Sequence, residues 1–486
     1  MIPAPKKIKQ YVKEFPLAGL YRFHFLSGGH DPILPKLASD IEKRLQHVSK
    51  YYEVDPRTKI DIVLNLQPFP SKKPDGYYEL EVSPGFFALN AESIAGMNYA
   101  ARTLMQHLYI NRANQDEDSF ALLPRISVKD WPTYQWRGMH LDVSRHFYDH
   151  NFVKKYLDWM VGLKFNRFHW HLSDDQGWRL ESKRFPLLHE KGSWRTESDG
   201  SKYGGHYSLR QIKSVLKHAR LRGIEVIPEI DIPGHSMAIL AAYPELACFP
   251  REFEPMNVWG ISEDILCAGK DETIEFLKEL FTEIAELFPG QYIHLGGDEA
   301  PKQRWKECPH CQKRMRDNGL KDEEALQAWL VKTLATHLKK LGKTVIGWDE
   351  ILDGGIDSKP VVMAWRGDGI DAARMAHDNG NKYILTPYTK LYFDARCHKL
   401  DKIGTHQIIF WSDVLGFSFQ EYTFENPKLL LGAQGNVWTE HLTNVRDLRE
   451  KVSGRMFPLA ERLWNGDGEI DVQDFWMMAS TLNWIL

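Results

Sequence analysis

From about residue 129 onward, short apolar runs alternate with longer segments in which apolar residues recur at helical spacing. This alternation predicts parallel strands joined by helical crossovers, because parallel neighbours cannot be connected by a tight turn. The predicted strands are 136–142, 166–172, 224–230, 291–297, 343–348, 360–365, 382–386 and 430–437. Eight such strands favour an α/β fold of the (β/α)8, or TIM-barrel, class.

Clear helical segments follow several of these strands, at 151–163, 208–222, 272–288, 323–341 and 443–463. The fifth and seventh helices are predicted to be short or irregular. A doubly wound sheet is the alternative, and nucleotide-binding sheets of that type carry a glycine-rich phosphate loop after a strand. No predicted strand is followed by such a loop, so the pattern favours the barrel.

Residues 1–128 are predicted to form a smaller α/β accessory domain with a mixed sheet and two helices, and residues 129–486 the barrel domain. Strands are expected at 21–26, 60–66, 76–82 and 85–90, and helices at 34–50 and 93–110. Prolines between residues 124 and 132 mark the boundary. The accessory region shows no catalytic constellation, so we expect a structural domain that packs on the barrel.

The charge balance gives no sign of a polyanionic partner. The formal net charge is −3, so neither nucleic acid nor an anionic membrane is an expected partner. No apolar run reaches the roughly 18 residues of a membrane helix, and no secretory signal is visible. We expect a monomer or homodimer, either cytoplasmic or secreted with its signal removed.

The five cysteines are an odd, sparse set that makes a poor disulfide framework. Cys308 and Cys311 have a spacing known from redox and zinc sites. A structural zinc needs four ligands, and the other cysteines form no second pair of matching spacing. We therefore expect reduced cysteines or one local disulfide, and neither a metal nor a cofactor.

Polar or aromatic side chains stand at the carboxyl ends of all eight predicted strands. In chain order they are Asp142 and Arg145; His169, His171, Asp174 and Asp175; Glu229, Asp231 and His235; Asp298 and Glu299; Trp348 and Asp349; Trp365 and Arg366; Tyr392 and Asp394; and Trp438 and Glu440. Active sites of TIM barrels lie at this end of the strands. Core packing alone does not account for such residues at every strand end.

Asp298 and Glu299 are adjacent carboxylates that follow two glycines. Neighbouring side chains of an extended segment point to opposite sides, so we expect the two to have different tasks. A pair that caps the next helix is the alternative. Tryptophans and carboxylates together, without metal or phosphate motifs, indicate a sugar ligand. Adjacent carboxylates fit substrate-assisted hydrolysis, with the 2-acetamido oxygen as nucleophile, better than the usual separated pair.

Seven motifs resemble, in the same order, the β-N-acetylhexosaminidases of glycoside hydrolase family 20. They are RGMHLDVSRH (137–146), HWHLSDDQGW (169–178), PEIDIPGH (228–235), HLGGDE (294–299), GWDE (347–350), AWRG (364–367) and GNVWTE (435–440). The resemblance implies an exo-acting, retaining enzyme for terminal β-linked GlcNAc or GalNAc. Its substrate would be a glycan such as a chito-oligosaccharide or glycoconjugate, and it would need no cofactor.

The resemblance also implies a role for each matching residue. Glu299 is the general acid and base, Asp298 orients the acetamido group, and Tyr392 hydrogen-bonds its oxygen. His235 tunes Glu299 together with Asp174 or Asp175, and the sequence leaves open which aspartate pairs with it. The residues implied to hold the sugar are Arg145, Asp142, Trp348, Trp365, Asp394, Trp438 and Glu440.

Each of these residues has a structural alternative. A tryptophan such as Trp438 is often core material, and His235 after Pro-Gly suits a turn. Asp174 and Asp175 suit a helix cap, and Arg145 suits a surface ion pair. A disaccharide-releasing relative and a non-catalytic sugar-binding barrel are the functional alternatives.

Overall fold

A closed barrel of eight parallel strands forms the larger part of the protein, in a computed structural model that describes every residue except 17, 28–33, 50–54, 114–121, 357 and 483–486. The barrel strands are Trp136–Asp142, Arg167–His171, Glu225–Glu229, Tyr292–His294, Thr344–Trp348, Val361–Ala364, Tyr383–Leu385 and Leu430–Gly435. They pair in chain order, and the eighth closes on the first where Gly432 lies opposite Trp136. The predicted fold class is confirmed.

The register of the first four barrel strands aligns their polar ends. Asp142 lies opposite His171, His171 opposite Glu229, and Glu229 opposite His294. All eight strands run in the same direction, so the residues that follow them meet at one mouth of the barrel. The strand ends therefore bring together side chains that are far apart in sequence.

Helices surround the barrel. They are His150–Gly162, Leu187–Glu190, Leu209–Arg220, Met237–Ala242, Asp271–Leu287, Gln303–Glu307, Pro309–Asn318, Glu323–Lys340, Ile370–Asp378, Tyr388–Leu391, Trp411–Leu415, Val445–Asn465 and Val472–Leu482. A 3-10 turn, Asp349–Leu352, follows the fifth strand, and the seventh is followed by two short helices, as predicted. Among the described helices, none is both long enough and apolar enough to span a membrane.

Short strand pairs and 3-10 turns lie in the connections between the barrel strands and the longer helices. They are the strand pairs Ser173–Asp174 with Gly177–Trp178, Trp194–Thr196 with Lys202–Gly204 and Ala395–Arg396 with Thr405–Ile408, and the 3-10 turns Pro244–Leu246, Gln420–Tyr422 and Pro427–Leu429. Side-chain caps set the starts of several surrounding helices. Asp149 accepts the N–H groups of Asn151 and Phe152, and Ser208 forms a reciprocal capping box with Gln211. Such caps contribute about 1 kcal/mol each.

The accessory domain is a six-stranded mixed sheet with helices Leu34–Ser49 and Ile94–Ala113. In spatial order its strands are Lys7–Pro16, Leu122–Asp130, Tyr78–Ser83, Phe86–Ala91, Asp55–Leu66 and Ala18–Ser27. The two predicted helices and the four predicted strands, which are the second to fifth strands in sequence, are present. The first and last strands in sequence were not predicted, and the last one runs to Asp130, just past the predicted boundary at residue 128.

The accessory domain and the barrel meet at a buried carboxylate. Asp130 accepts hydrogen bonds from Tyr78 Oη at 2.7 Å, Lys164 Nζ at 3.0 Å and Trp464 Nε1 at 2.8 Å. Lys164 and Trp464 come from the barrel domain, and the indole of Trp464 is buried in the core of the accessory domain. The interface is therefore built around one charged, fully hydrogen-bonded group.

Candidate active site

The fourth barrel strand ends at His294, and the chain then turns sharply. Gly296 and Gly297 have φ of 70° and 96°, and Glu299 has φ of 48°. A Cβ atom on Gly296 would lie 1.7 Å from Oδ1 of Asp231, so only glycine fits there. The segment is not extended at the two carboxylates. The expectation that strand alternation separates them is therefore wrong, and a left-handed turn does so instead.

The adjacent carboxylates differ in exposure. The Asp298 side chain is 12% exposed and the Glu299 side chain 40% exposed. Oδ1 of Asp298 is buried, and none of the residues that the structure describes donates a hydrogen bond to it. Burial, together with the nearby charges of Glu229 and Glu299, raises the pKa of Asp298. A buried acceptor without a donor is costly, so this atom is suited to receive one from a ligand.

His235 links Glu299 to a buried aspartate. Its Nε2 lies 3.6 Å from Oε2 of Glu299, and its Nδ1 lies 3.0 Å from Oδ1 of Asp174. Oδ2 of Asp175 is farther from Nδ1, at 3.5 Å, and Oδ1 of Asp175 accepts the N–H of Met237. Asp174 is thus the nearer partner. Burial lowers the pKa of His235, but the adjacent carboxylates, Asp174 foremost, outweigh burial and hold it well above its ordinary value.

Arg145 is buried among carboxylates and is not a surface ion pair. Its Nη2 lies 2.9 Å from Oδ2 of Asp174 and 3.8 Å from Oε1 of Glu440, and its Nη1 lies 3.4 Å from Oδ2 of Asp142. Its guanidinium carbon lies 5.0 Å from the centre of the Trp438 ring. A fixed fork of donors next to an aromatic face suits sugar hydroxyls.

Four aromatic rings form a continuous wall at the mouth. The ring centres of Trp348 and Trp438 are 5.9 Å apart, those of Trp438 and Tyr392 are 6.3 Å apart, and those of Tyr392 and Trp365 are 6.1 Å apart. Burial, with the charges of Asp298 and Asp394, raises the pKa of Tyr392 well above its usual range, which keeps its hydroxyl protonated. The wall therefore combines apolar faces with one hydroxyl donor.

Two carboxyl groups near this wall have raised pKa values. Burial, with the charge of Glu440, raises the pKa of Asp394 to about 7. Burial, followed by the charges of Asp298 and Asp349, raises the pKa of Glu350 to about 9. Glu350 also accepts the indole N–H of Trp365 at 2.9 Å. At neutral pH Glu350 is consequently protonated, and Asp394 is divided between its two forms.

The profile of the glycosyl hydrolase family 20 catalytic domain matches residues 134–467. The chain belongs to glycosyl hydrolase family 20. This confirms the resemblance found in the sequence motifs, and the class of enzyme, a glycoside hydrolase, follows from it.

Curated relatives of the family support the assignment. A β-hexosaminidase of Porphyromonas gingivalis is 43% identical over 79% of this chain, which spans only half of that protein's length. A β-hexosaminidase of Vibrio furnissii is 32% identical, and the match covers 95% of this chain and 76% of the Vibrio furnissii protein. The solved exo-β-N-acetylglucosaminidase of Vibrio harveyi, in complex with N-acetylglucosamine, superposes with a TM-score of 0.85 at 26% identity and covers all of this chain and 76% of its own.

In this family 20 chain, the residues predicted to act on or hold the sugar lie at or after the ends of barrel strands. His169 lies inside its strand, and His171 and Glu229 are the last residues of theirs. Asp142 differs from the other residues predicted to hold the sugar because both of its carboxylate oxygens already accept hydrogen bonds from the protein. Oδ1 accepts the N–H groups of Ser144 and Arg145, and Oδ2 accepts the N–H and hydroxyl of Thr439. Direct contact of Asp142 with a sugar stays a prediction, and the geometry favours a role in holding Arg145.

Sequence reasoning named Glu229 at a strand end but gave it no role. The structure makes it the centre of the layer below the site. Its carboxylate lies 2.5 Å from His171 Nδ1 and 2.9 Å from His294 Nδ1, and it accepts the indole N–H of Trp348 at 2.9 Å. It therefore orients one wall of the site. A charged residue at the end of an otherwise apolar, buried run was the available signal.

Asp231 and Glu350 were also missed as site residues. Asp231 accepts the N–H of Gly297 at 3.2 Å and contacts Asp298, and burial raises its pKa well above the usual range. Glu350 hydrogen-bonds Trp365. Both residues stand inside the quoted motifs PEIDIPGH (228–235) and GWDE (347–350), but only the folded chain shows what they contact.

Proposed function

We propose that this protein is an exo-acting, retaining β-N-acetylhexosaminidase that removes terminal β-linked GlcNAc or GalNAc by substrate-assisted catalysis. One observation carries the proposal. The adjacent carboxylates Asp298 and Glu299 differ sharply in exposure, and the buried one has an acceptor oxygen without a donor. A 2-acetamido group offers the N–H that this oxygen lacks.

In the first step the acetamido carbonyl oxygen attacks C1 of the sugar, and the bond from C1 to the leaving oxygen breaks. Glu299, the more exposed carboxyl, gives its proton to that oxygen. Asp298 accepts the acetamido N–H and stabilises the positive charge that develops on the oxazolinium ring. The protonated hydroxyl of Tyr392 donates to the acetamido oxygen and holds it in line with C1.

In the second step Glu299, now ionised, removes a proton from water. The water oxygen bonds to C1 and the ring bond to the acetamido oxygen breaks, which restores the acetamido group. Two inversions at C1 give net retention. Glu299 is ionised between the first and the second step. His235, held by Asp174, supports both steps because its positive charge beside Glu299 stabilises that ionised form.

Glu350 and Glu440, two carboxyl groups near the aromatic wall, are poor candidates for an enzyme nucleophile. Glu350, with its pKa raised to about 9, is protonated at neutral pH and bound to an indole N–H. Glu440 lies against Arg145, and burial raises its pKa as well. A nucleophilic carboxylate has to be ionised and free, so the substrate's own acetamido oxygen is the better nucleophile.

Recognition of the sugar follows from the remaining residues. Trp348, Trp365 and Trp438 enclose the acetamido methyl group and stack on the ring. Arg145 forks onto two adjacent hydroxyls, with Glu440 and Asp394 as further hydroxyl partners. The substrates are glycans such as chito-oligosaccharides or glycoconjugates, and the protein acts as a monomer or homodimer.

The experiment compares kcat/KM for an aryl β-N-acetylglucosaminide with that for the matching aryl β-glucoside. An intramolecular nucleophile is worth several kcal/mol, so we expect a preference on the order of a thousandfold or more. A thiazoline analogue of the cyclic intermediate should also inhibit far more tightly than GlcNAc itself. Comparable rates on both glycosides would mean an enzyme-borne nucleophile. Absence of turnover on either would favour a disaccharide-releasing enzyme or a sugar-binding barrel.

A further inference from the structure

Four of the five cysteines meet in one buried cluster outside the candidate active site. They are Cys248, Cys267, Cys308 and Cys311, and their sulfur atoms all lie within 4.8 Å of one another. The Cys267 sulfur lies 3.7 Å from that of Cys308 and 3.6 Å from that of Cys311, and the Cys248 sulfur lies 3.8 Å from that of Cys311. All four are free thiols.

We propose that these four cysteines bind one zinc ion as a structural site. Zinc takes four thiolates in a tetrahedron at about 2.3 Å, which puts neighbouring sulfur atoms about 3.8 Å apart. The three sulfur–sulfur distances given above, 3.6 to 3.8 Å, match that edge. They are far longer than the 2.05 Å or so of a disulfide bond. Three of the six edges therefore already have the length that a zinc tetrahedron needs, and all six are within 4.8 Å.

The backbone around the cluster supports thiolates. A Cβ atom on Gly269 would lie 2.2 Å from the backbone N of Cys311, so the two ligand-bearing segments are in direct contact. Cys311 lies in the first turn of helix Pro309–Asn318, where the helix dipole favours negative charge.

The ligand set favours zinc over other ions. An all-sulfur tetrahedral set selects zinc or iron, whereas calcium and magnesium need oxygen ligands. His310, between Cys308 and Cys311, is exposed and stays outside the cluster. The sequence prediction of reduced cysteines or one local disulfide set zinc aside because the other cysteines form no second pair of matching spacing. Cys248 and Cys267, 19 residues apart in their own loop, nevertheless join Cys308 and Cys311 in one cluster.

The cluster joins the two loops that carry the acid and its histidine. Cys248 and Cys267 lie in the connection after the third barrel strand, which also contains His235. Cys308 follows the fourth strand, nine residues after Glu299. A zinc ion here would tie these loops together behind the site. The inference does not depend on the proposed activity, because the metal touches no site residue.

The test is metal analysis of the purified chain, prepared under reducing, chelator-free conditions, by inductively coupled plasma mass spectrometry. We expect about one zinc per chain in the wild type. Cys308→Ser and Cys248→Ser should lose most of it. Cys397→Ser is the matched control, since Cys397 lies elsewhere, with its sulfur 3.0 Å from Nη2 of Arg455, and it should keep the zinc.

Wild-type protein gives a second readout that does not depend on whether the variants fold. Titration with a mercurial reagent in the presence of a zinc indicator should release one zinc per chain as the cluster thiols react. Intact mass under denaturing, non-reducing conditions should show five unoxidised cysteines. Metal-free protein that is folded, iron in place of zinc, or a mass lower by two hydrogens per disulfide would each overturn the proposal.

Discussion

The Nε2 atom of His235 lies 3.6 Å from a carboxylate oxygen of Glu299, and both residues have a left-handed backbone, with φ of 49° and 48°. A non-glycine residue in this conformation costs on the order of 1 kcal/mol or more. Neighbouring contacts must offset that cost. The backbone at each residue, and not the rotamer alone, therefore aims the two side chains at each other.

Replacing Glu299 by Gln should lower kcat/KM by about 100-fold to 10,000-fold, because general acid catalysis contributes that much. The loss should be smaller for an activated aryl leaving group than for a disaccharide, since the former needs less protonation. The glutamine side chain has the same shape, and the left-handed backbone at position 299 costs the same in both proteins, so Tm should hardly change. Glu307→Gln, at an exposed position on the next helix, is the control and should behave as wild type. Undiminished hydrolysis in Glu299→Gln would remove Glu299 from its role.

The contacts from Glu299 through His235 to Asp174 predict that substitutions of Asp174 and Asp175 change the pH dependence of activity by different amounts. Asp174, hydrogen-bonded to His235 at 3.0 Å, is the main charge that raises the histidine's pKa, whereas Asp175 lies 3.5 Å away. In Asp174→Asn the pKa of His235 should fall, so the alkaline limb of the kcat/KM profile should move to lower pH. The shift in Asp175→Asn should be smaller. The measurement is the pH–rate profile of both variants.

Asp174→Asn also leaves Arg145 with one fewer carboxylate partner, and breaking a buried ion pair costs on the order of 3–5 kcal/mol. The profiles should therefore be recorded well below the Tm of each variant, with circular dichroism as a check on folding. A larger shift in Asp175→Asn than in Asp174→Asn would contradict the assignment of Asp174 as the partner.

Glu350 should tolerate one substitution and not another. Its pKa, raised to about 9, makes it a neutral group at pH 7, so Glu350→Gln changes no charge and keeps an oxygen for the indole N–H of Trp365. We expect kcat/KM within about threefold of wild type. Glu350→Ala removes the acceptor, and the loss of a buried hydrogen bond, about 1 kcal/mol or more, should raise KM about fivefold or more. Equal damage by both changes would show that Glu350 acts as an anion.

Asp394 should make stability depend on pH. Its folded pKa of about 7 exceeds the ordinary value of 3.8, so between these pH values the folded state binds more protons than the unfolded state. The free energy of unfolding then falls as pH rises, and the contribution, on the order of a few kcal/mol, is present at low pH and lost through pH 7. Asp394→Asn lacks this term, so its Tm relative to wild type should rise between pH 5 and pH 8.

The control for that comparison is Glu425→Gln, which alters a carboxylate that is 82% exposed. Its Tm should run parallel to that of the wild type across the same pH range. If Asp394→Asn also runs parallel, the Asp394 carboxyl is already ionised at low pH and its burial has no energetic consequence.

The barrel could be predicted from the sequence because each strand is a short apolar run bounded by polar residues. Seven of the eight predicted strands agree closely with the structure. The fourth, predicted as 291–297, ends at His294, because Gly296 has a left-handed φ of 70°. Glycine can adopt a left-handed backbone, but its presence in the sequence does not show that it does so. The separation of Asp298 from Glu299 was therefore assigned to the wrong cause.

The two strands missed in the accessory sheet lacked the usual signals. Lys7–Pro16 is an edge strand with residues exposed on both faces, Ile8 and Val12 among them, so it shows no apolar alternation. Leu122–Asp130 contains Pro124, which argues against a strand by sequence. The structure accommodates this proline beside an irregularity in the register with the edge strand. Contacts such as Glu229 with Trp348 join distant segments and have no local signature.

The indole of Trp464 belongs to the barrel's last long helix, yet it is buried in the accessory core and donates to Asp130. Removing the accessory domain, up to and including Asp130, would expose the Trp464 ring to solvent. It would also leave the buried ammonium of Lys164 without the carboxylate of Asp130. An excised barrel would thus carry an exposed apolar ring and an orphaned charge from the start. The two domains should consequently melt cooperatively, in one calorimetric transition, and resist separation by limited proteolysis.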